Sequence, residues 1–426
     1  MITRIRLDPG QIVRVMGPAR ARVVSGQVLV LGAIFNPGDE FAISKYRSYA
    51  IKGLVETSIE IVLDAGGSIE KPLPGEEVID KWVSEIDSLI QKGCRRIIVV
   101  GPVDSGKTSV VALASNRSLL RGFRVGVIDA DVGQADIGPP ASVSASVVSK
   151  QILWLRELEA DHIRFIGSIT PQRNERRIVA AVVDLVSRLE RKGVDTIIVD
   201  TDGWIQGINS IEYKAEMARF INADAVIIVG DEFLYQSVKQ IFSGLPCRAV
   251  FLESPKIRRE RSRDERRALR SEAYRRYLTP LYERLVDLSS VSIYGSCFFS
   301  GRRVRGREEE FQKMLRVRVL GVSETSDTYY VVTEGQPPAQ AIGAAIERLE
   351  KQVYVLDKNI ARGALLSIIG SDYQEKALGI LKDFDLGKSV AIIATPYTGK
   401  IKGIIFGSIR LGEDFEELGK PLRCVI

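Results

Sequence analysis

The stretch GPVDSGKTS, at residues 101–109, decides the fold, and it directly follows the apolar run RIIVV at 96–100. Residues 101–108 satisfy the pattern G-x-x-x-x-G-K-[S/T], and the sequence after them can form a helix. Between a strand and a helix, the backbone N–H groups of such a loop point at a phosphate, and the helix N-terminus adds positive potential. The sequence therefore predicts a nucleotide site made by Gly101, Pro102, Val103, Asp104, Ser105, Gly106, Lys107, Thr108 and Ser109.

Two side chains of this loop have direct roles in such sites. Lys107 is expected to reach the β- and γ-phosphate oxygens, and the hydroxyl of Thr108 to bind Mg²⁺ or another divalent cation. A chance match to the pattern is the alternative, and the flanking strand and helix count against it. The loop itself does not say which group receives the phosphate.

The length and composition of the chain limit its class. A chain of 426 residues is too long for one compact core and suggests two or three domains. Its hydrophobic fraction of 45% and charged fraction of 27% are those of a soluble globular protein. Charges at Arg4, Arg6 and Asp8 exclude a signal peptide there, and no apolar run approaches the roughly 18 residues that span a bilayer. We therefore expect a cytoplasmic protein without a membrane partner.

The cysteines and the histidine give no sign of a metal site. Cys94, Cys247, Cys297 and Cys424 lie far apart with no C-x-x-C spacing, which fits a reducing cytoplasm better than a disulfide framework. We predict that they serve as small buried hydrophobic residues. His162 is the one histidine and is predicted to be structural, which leaves no constellation for a transition metal.

Three zones of composition predict three domains. Short alternating apolar runs broken by NPGD and DAGG predict a small β domain over 1–75. Over 76–300, continuous β-branched runs alternate with helical or loop stretches, which is typical of parallel strands covered on both faces. This zone is predicted to be an α/β P-loop NTPase domain with a mostly parallel sheet. β-rich patterning returns over 301–426 and predicts a small C-terminal β domain.

Two acidic residues follow the second strand of the central zone, in the stretch VIDADVGQADIGPP. Asp129 and Asp131 leave the carboxyl end of a strand that is expected to lie beside the P-loop strand. Carboxylates at this position can bind the metal or take a proton from an acceptor hydroxyl. We predict that both bind the metal together with Thr108. Ordinary turn-forming residues at a strand end are the alternative.

Two large classes of P-loop protein are disfavoured. A GTPase would carry an N-K-x-D run after a later strand, and the sequence has none. Dimerising ATPases carry a second lysine in the loop, where this chain has Val103, Asp104 and Ser105.

The positive charge of the chain is concentrated in one segment. Residues 256–276 contain ten Lys or Arg and four Asp or Glu, and this excess equals the net charge of +6 of the whole chain. A solvated charged helix is the ordinary interpretation of such a segment.

Four motifs together carry a family resemblance. GPVDSGKTS, DADVGQ at 129–134, TDGW at 201–204 and ERSRDERRALR at 260–270 occur in the order and rough spacing of the polyribonucleotide 5′-hydroxyl kinases. That family includes the RNA kinases of messenger cleavage, tRNA splicing and ribosomal RNA processing, and single-chain archaeal relatives. With the flanking β domains, the resemblance covers nearly the whole chain.

The resemblance implies roles for the acceptor side of the site. Asp131 matches the residue that activates the attacking 5′-hydroxyl, and Gln134 the glutamine beside it. TDGW resembles a clasp that closes over the RNA end, in which Thr201 and Trp204 bind the substrate. An aromatic face stacks on any base, although simple core packing of Trp204 is the alternative. FIGSITPQRN at 165–174 is similar to the loop for the terminal nucleotide, which places Thr170 near the acceptor.

The basic segment gains a second interpretation from the resemblance. Arg261 and Arg266 match the paired catalytic arginines of a lid, and residues 256–276 would form this lid over the triphosphate. Planar guanidinium groups suit phosphate oxygens, although an RNA-binding surface is an alternative. The chain departs from the family just before the lid, where ESPK at 253–256 replaces the usual pair of glycines.

The resemblance implies a kinase that uses ATP or GTP and a divalent cation to phosphorylate the 5′-hydroxyl of RNA, with DNA as a further acceptor. Two alternatives belong to other classes: a nucleotide-bound scaffold of an RNA-processing complex without turnover, and a P-loop ATPase that remodels a partner. Protein partners are compatible with all three.

Overall fold

The structure is a computed structural model that describes residues 2–45, 47–73, 75–256, 261–419, 422 and 424. The chain divides into two compact units. The first contains residues 1–138, 143–162 and 171–266, and the second contains residues 139–142, 163–170 and 267–426. The predicted division into 1–75, 76–300 and 301–426 stays a prediction. Among the described residues, no helix combines the length and apolarity required to cross a bilayer.

The N-terminal zone is built from short antiparallel strands. In several of these strands alternate residues are buried, as in Thr57–Leu63, because successive side chains point to opposite faces. The strands are β1 Ile2–Leu7, β2 Ile12–Met16, β3 Ala19–Ser25, β4 Val28–Val30, β5 Ala33–Phe35, β6 Glu40–Ile43, β7 Ser48–Gly53, β8 Thr57–Leu63 and β9 Ser68–Glu70. They form two sheets, with the orders β1-β8-β3-β6 and β5-β4-β7-β2-β9. The expectation of N-terminal β structure is confirmed.

The central zone alternates helices and strands. Its elements are α1 Ile79–Gln91, β10 Arg96–Val100, α2 Lys107–Leu119, β11 Val125–Ala130, β12 Ser142–Val148, β13 His162–Phe165, α3 Glu175–Arg191, β14 Thr196–Thr201, α4 Ile208–Phe220, β15 Ala225–Gly230, α5 Glu232–Ser243 and β16 Arg248–Glu253. Within its sheet, neighbouring strands follow the order β12-β11-β14-β10-β15-β16. All these pairs are parallel except β11 with β12, so the predicted α/β fold with a mostly parallel sheet is confirmed.

The sheet brings three strand ends together at the P-loop. β14 lies between β10 and β11, and the register aligns Asp200 of β14 with Val99 on one side and Asp129 on the other. Every residue of β14 is buried, which explains its continuous apolar run. The carboxyl ends of these strands therefore present their acidic residues at the edge where α2 begins.

The second unit contains two further sheets and several helices. Their orders are β17-β25-β24-β23-β26-β18 and β19-β20-β21-β22. The elements from residue 263 onward are α6 Arg263–Leu278, β17 Tyr282–Asp287, β18 Ser292–Tyr294, β19 Arg302–Arg303, α7 Glu308–Leu315, β20 Val319–Glu324, β21 Thr328–Thr333, α8 Ala339–Leu349, β22 Gln352–Asp357, α9 Lys358–Ala361, β23 Ala364–Ile369, β24 Glu375–Asp385, β25 Val390–Thr395 and β26 Gly403–Arg410.

The C-terminal zone is richer in helix than its β-rich sequence indicated. Phe311 and Leu315 of α7 and Ala345 of α8 are buried in one core with Val322 and Val331 of the sheet. The spacing of four between Phe311 and Leu315 is that of one helix face. This zone is therefore a β domain with helices packed on one of its sheets.

One expectation about the cysteines is wrong. Cys297 and Cys424 form a disulfide, and their Cα atoms lie 5.9 Å apart, within the usual range for such a bond. A separation of 127 residues leaves no local spacing that could indicate this pair. Cys94 and Cys247 are free, and Cys94 is buried as expected. The cytoplasmic location stays a prediction.

Candidate active site

The P-loop joins β10 to α2, and Gly106 immediately precedes the helix. Gly106 has φ 103°, in the left-handed region that favours glycine. A Cβ atom at this position would lie 2.8 Å from Cη2 of Trp82, which is too close for any side chain. The indole of Trp82 is itself fixed, because its Nε1–H donates to the carbonyl of Glu253 over 3.0 Å. Helix α1 therefore packs directly against the phosphate-binding loop.

Lys107 is held inside this loop. The residue is 6% exposed, and its Nζ donates to the carbonyl oxygen of Pro102 over 2.8 Å. Its positive charge lowers the pKa of the nearby carboxyl groups of Asp131 and Asp200, against the larger opposing effect of burial. The ammonium thus lies among the acidic groups of the site.

A pocket opens over the P-loop and collects many of the predicted residues. Its wall from the central zone contains residues 103–109, Asp131, Gln134 and Arg261. Its remaining wall was not predicted from the sequence, and it includes Arg14, Arg47, Ser48, Glu77, Trp82 and Asp136. Arg14 donates from Nε and Nη2 to Oε1 of Glu77, over 2.8 Å and 2.6 Å. The N-terminal β zone therefore contributes to the wall of the pocket beside the P-loop.

Asp129 has a structural position in this site. Its Oδ2 accepts hydrogen bonds from the backbone N–H groups of Asp136 and Ile137, at 2.6 Å and 3.1 Å. Its Oδ1 accepts from the N–H of Asp131 at 3.1 Å. Burial, followed by the charge of Asp200, raises the pKa of Asp129 well above its usual range. These contacts hold the loop after β11 in place, and the predicted role of Asp129 as a metal ligand gains no support from them.

Asp131 faces the pocket. Its Oδ1 accepts two backbone hydrogen bonds of 3.0 Å, from Gly133 and Gln134, and these fix the carboxyl group. Burial and the nearby charge of Asp202 raise the pKa of Asp131, while Lys107 opposes them. A raised pKa makes a carboxylate a better proton acceptor.

Asp200 is a residue of this site that the sequence analysis did not single out. It is 3% exposed, and its Oδ1 has no hydrogen-bond partner among the described residues. Burial raises the pKa of Asp200 to about 7, although Lys107 and a hydrogen bond with Thr108 lower it. A signal was present, because TIIVD ends in this carboxylate on a strand of the predicted parallel sheet.

Both predicted lid arginines reach the P-loop. Oδ2 of Asp104 accepts from Nη2 of Arg266 at 2.7 Å and from the backbone N–H of Arg261 at 3.3 Å. Nη1 of Arg261 donates to Oε1 of Gln134 at 3.3 Å. Asp104 has φ 58°, an uncommon conformation for a residue other than glycine. Residues 257–260 of the predicted lid lie outside the described residues.

The later arginines of the basic segment have protein partners in the second unit. Arg270 forms a bidentate ion pair with Glu417, at 2.6 Å and 2.8 Å. Nη2 of Arg267 donates to the carbonyl oxygen of Glu417 at 2.6 Å. These two guanidinium groups therefore anchor the part of α6 that belongs to the second unit.

The TDGW stretch begins with the last residue of β14 and continues into the loop that leads to α4. The hydroxyl of Thr201 is buried and donates to the carbonyl of Val99 at 2.8 Å, which ties it to the sheet. A Cβ atom on Gly203 would lie 2.7 Å from the backbone nitrogen of Val103, so the loop runs directly against the P-loop. Trp204 is half-buried and stacks on Tyr213, with ring centroids 6.0 Å apart and planes at 23°.

Thr170, predicted near the acceptor, belongs to the second unit. Its backbone N–H donates to Oγ of Ser168 at 3.2 Å. Its position relative to the acceptor stays a prediction.

Comparisons with known proteins place the chain among relatives of one kind. A family model for the "mRNA cleavage and polyadenylation factor CLP1 P-loop" matches residues 101–280. A polyribonucleotide 5′-hydroxyl-kinase of Pyrococcus furiosus is 29% identical over 335 residues, covering 76% of this chain and 90% of the relative. One of Methanocaldococcus jannaschii is 28% identical over 332 residues, covering 76% and 89%. A solved structure of Clp1p in complex with Pcf11p has a TM-score of 0.63 at 13% identity, covers 96% of this chain and 98% of that one, and supports the fold.

Proposed function

We propose that this chain, which is similar to polyribonucleotide 5′-hydroxyl-kinases over 76% of its length, transfers the γ-phosphate of ATP or GTP to the 5′-hydroxyl end of RNA. DNA ends are a further acceptor in this proposal. One observation carries it: a single pocket is lined by the P-loop, by Asp131 and Gln134, and by Arg261. A nucleotide scaffold or an ATPase has no need of the acceptor-side residues.

The donor side of the reaction requires positive charge around the phosphates. The P-loop amides and Lys107 bind the β- and γ-phosphate oxygens, and Arg261 and Arg266 neutralise charge on the transferring group. Phosphoryl transfer depends mainly on positioning and on such charge stabilisation. The contacts of both arginines with the loop residue Asp104 support this arrangement.

The acceptor side requires a base. In the proposed reaction the 5′-oxygen forms a bond with the γ-phosphorus as the bond to the β–γ bridging oxygen breaks, and the nucleoside diphosphate leaves. The hydroxyl proton passes to the carboxylate of Asp131. Both observed hydrogen bonds to this carboxylate fall on Oδ1, so Oδ2 is the oxygen that we assign to the proton.

The residues present fit a divalent cation at the end of β14. Mg²⁺ prefers carboxylate and hydroxyl oxygens, and a buried carboxylate oxygen of Asp200 lacks a hydrogen-bond partner within the described chain. Asp200 and Thr108 would therefore hold the ion, with Asp131 as a further oxygen donor. When bound, the ion supplies neutralisation of the β- and γ-phosphate charge.

The Asp200→Asn variant tests this assignment. We expect it to need on the order of tenfold or more Mg²⁺ for half-maximal activity, because a neutral amide is a poorer ligand than a carboxylate. Nucleotide binding measured without Mg²⁺ should change little. A matched control is Asp195→Asn, outside the site, where Oδ2 accepts the N–H of Arg124. An unchanged Mg²⁺ requirement would remove Asp200 from the metal site.

The nucleoside occupies the part of the pocket that the N-terminal zone provides. The ion pair of Arg14 and Glu77 and the side chain of Arg47 line this part, together with Trp82. This proposal gives the N-terminal β zone a role in binding the phosphate donor.

The reaction itself is tested with γ-labelled ATP or GTP and a 5′-hydroxyl oligoribonucleotide. Label on the oligonucleotide is the expected result. Release of labelled inorganic phosphate alone would favour an ATPase, and retention of intact nucleotide would favour a scaffold. A matched oligodeoxynucleotide measures the acceptance of DNA.

The lid assignment predicts a specific kinetic change for Arg266→Ala. If Arg266 acts on charge that develops during transfer, its loss lowers kcat by about 10²–10³-fold and raises the KM for nucleotide far less. Arg267→Ala is the matched control. Arg267 follows Arg266 in the sequence, and its guanidinium contacts Glu417 in the second unit.

Two salt concentrations separate the lid from an RNA-binding surface. A lid variant stays slow at saturating RNA with an unchanged salt slope. A variant that regains full kcat once RNA is saturating would instead assign Arg266 to an RNA surface. We expect a smaller loss for Arg261→Ala, because its guanidinium contacts Gln134 and only its backbone contacts Asp104.

A further inference from the structure

Lys214 on α4 is the most deeply buried ammonium group near the site. The residue is fully buried, and its Nζ donates to the carbonyl of Asp202 at 3.1 Å, to Oδ1 of Asp202 at 3.1 Å and to the carbonyl of Trp204 at 2.5 Å. An ammonium group has three donors, and all three are used on the TDGW loop. Within the described chain, the hydrogen bonds of this ammonium group therefore all end on the clasp, and Nζ also lies 5.3 Å from the ring centroid of Tyr213.

Burial of this charge is costly unless it serves a specific arrangement. Removing an ion from water is costly, and replacing both partners of a buried ion pair by apolar residues of similar volume is often neutral or stabilising. Burial lowers the pKa of Lys214, while the carboxylate of Asp202 opposes this change. Stability alone therefore does not explain the ion pair of Lys214 and Asp202. Its hydrogen bonds instead indicate that it holds the backbone of the clasp.

The arrangement fixes Trp204 from three directions. Its carbonyl accepts from Lys214, its N–H donates to Oδ1 of Asp202 at 2.8 Å, and its indole stacks on the ring of Tyr213. Tyr213 and Lys214 are consecutive on α4, so one turn of helix holds both the backbone and the ring. Trp204 is nevertheless half-buried, so these contacts hold a tryptophan that keeps a solvent-accessible surface.

We propose that Lys214 is a positioning residue that orients Trp204 to stack on the terminal base of the acceptor strand. This inference rests on the proposed function and extends it to a residue outside the pocket. A preset aromatic face does not have to be ordered when RNA binds, so its stacking contribution appears in full as affinity. Lys214 acts through Trp204 and does not touch the reacting atoms.

The Lys214→Met variant tests the proposal, because methionine is unbranched and fills the space without the charge. We expect the KM for a 5′-hydroxyl oligoribonucleotide to rise about tenfold, within the range of stacking contributions. The Kd for nucleotide and the kcat at saturating RNA should stay within about twofold. Glu216→Gln, an exposed position on the same helix, is the matched control.

A double-mutant cycle separates positioning from general damage. If Lys214 acts through Trp204, adding Lys214→Met to Trp204→Ala produces no further rise in the KM for RNA. Additive effects, or an equal loss of nucleotide affinity, would overturn the proposal. If Lys214→Met does not fold because Asp202 loses its partner, the paired variant Lys214→Met with Asp202→Asn removes the unpaired charge and should give the same selective rise in the KM for RNA.

A second measurement distinguishes failure of this inference from failure of the proposed function. Affinity for the 5′-hydroxyl oligonucleotide is also measured by fluorescence anisotropy, which needs no turnover. If the wild-type chain transfers no phosphate but binds the oligonucleotide, the same tenfold difference is expected in Kd. Wild-type affinity in Lys214→Met would contradict the positioning role whether or not the chain is a kinase.

Discussion

The Lys107→Ala variant is expected to lose phosphoryl transfer completely while it remains folded. The ammonium of Lys107 lies in the pocket and donates a hydrogen bond to the P-loop carbonyl of Pro102. Its loss removes the positive charge that offsets the β- and γ-phosphate oxygens in transfer. Alanine suits position 107, because this residue begins α2 and alanine is the best helix former.

Label transfer and a thermal melt measure the two parts of this expectation. Lys81→Ala is a suitable control, because Lys81 lies on the adjacent helix α1 and its side chain is 75% exposed. Near-normal turnover of Lys107→Ala, with an unchanged melting curve, would rule out the P-loop as the phosphate site.

The Asp131→Asn variant is expected to lose about 10²–10⁴-fold in kcat while it binds nucleotide almost normally. An amide cannot accept the hydroxyl proton, yet its oxygen can still accept the hydrogen bonds from Gly133 and Gln134 that fix this side chain. The loop should therefore keep its conformation. Single-turnover label transfer under saturating nucleotide and RNA isolates the loss in the chemical step.

The pH profile gives an independent measure of the same role. Burial raises the pKa of Asp131, and only the ionised form accepts a proton. Activity should therefore fall as the pH drops through the pKa of this carboxyl group. In Asp131→Asn this acid limb should disappear from the residual activity.

Asp129→Asn is the comparison that separates the two acids. Its effect should appear in the melting temperature, because an amide replaces a carboxylate that accepts three backbone N–H groups. An inactive, fully stable Asp129→Asn beside an active Asp131→Asn would reverse the two roles.

Much of the fold could be predicted because its signals are local. RIIVV and AVIIVG coincide with β10 and β15, since strands buried on both faces must be apolar throughout. The P-loop could be predicted because a strand, a glycine turn and a helix are contiguous. The helices α7 and α8 were missed although EEEFQKML has helical spacing, because the surrounding β-rich pattern dominated.

The rest of the pocket could not be predicted, because its residues meet only through tertiary structure. Arg14 lies on β2 and Arg47 precedes β7, and nothing in their local sequence distinguishes them from other basic residues of short strands. Asp136 collects hydrogen bonds from Arg47, Trp154 and Arg156, which the chain supplies from distant segments. Lys214 could not be singled out, because nothing in the sequence of α4 shows that this lysine is buried.

Ion pairs within the protein, made by arginines of the basic segment, limit how strongly ionic strength can change the affinity for RNA. A positively charged side chain contributes to the salt dependence of affinity by displacing cations condensed on the nucleic acid, at about 0.7 in slope for each phosphate neutralised on a single strand. Arg270 already faces the carboxylate of Glu417, and Arg266 that of Asp104. To bind an RNA phosphate, such a guanidinium must leave its carboxylate. The freed carboxylate attracts cations from solution, so few cations are released in total. Arg266 and Arg270 should therefore add little to the salt slope, so the affinity for RNA should respond to salt less than ten basic residues in one short segment imply.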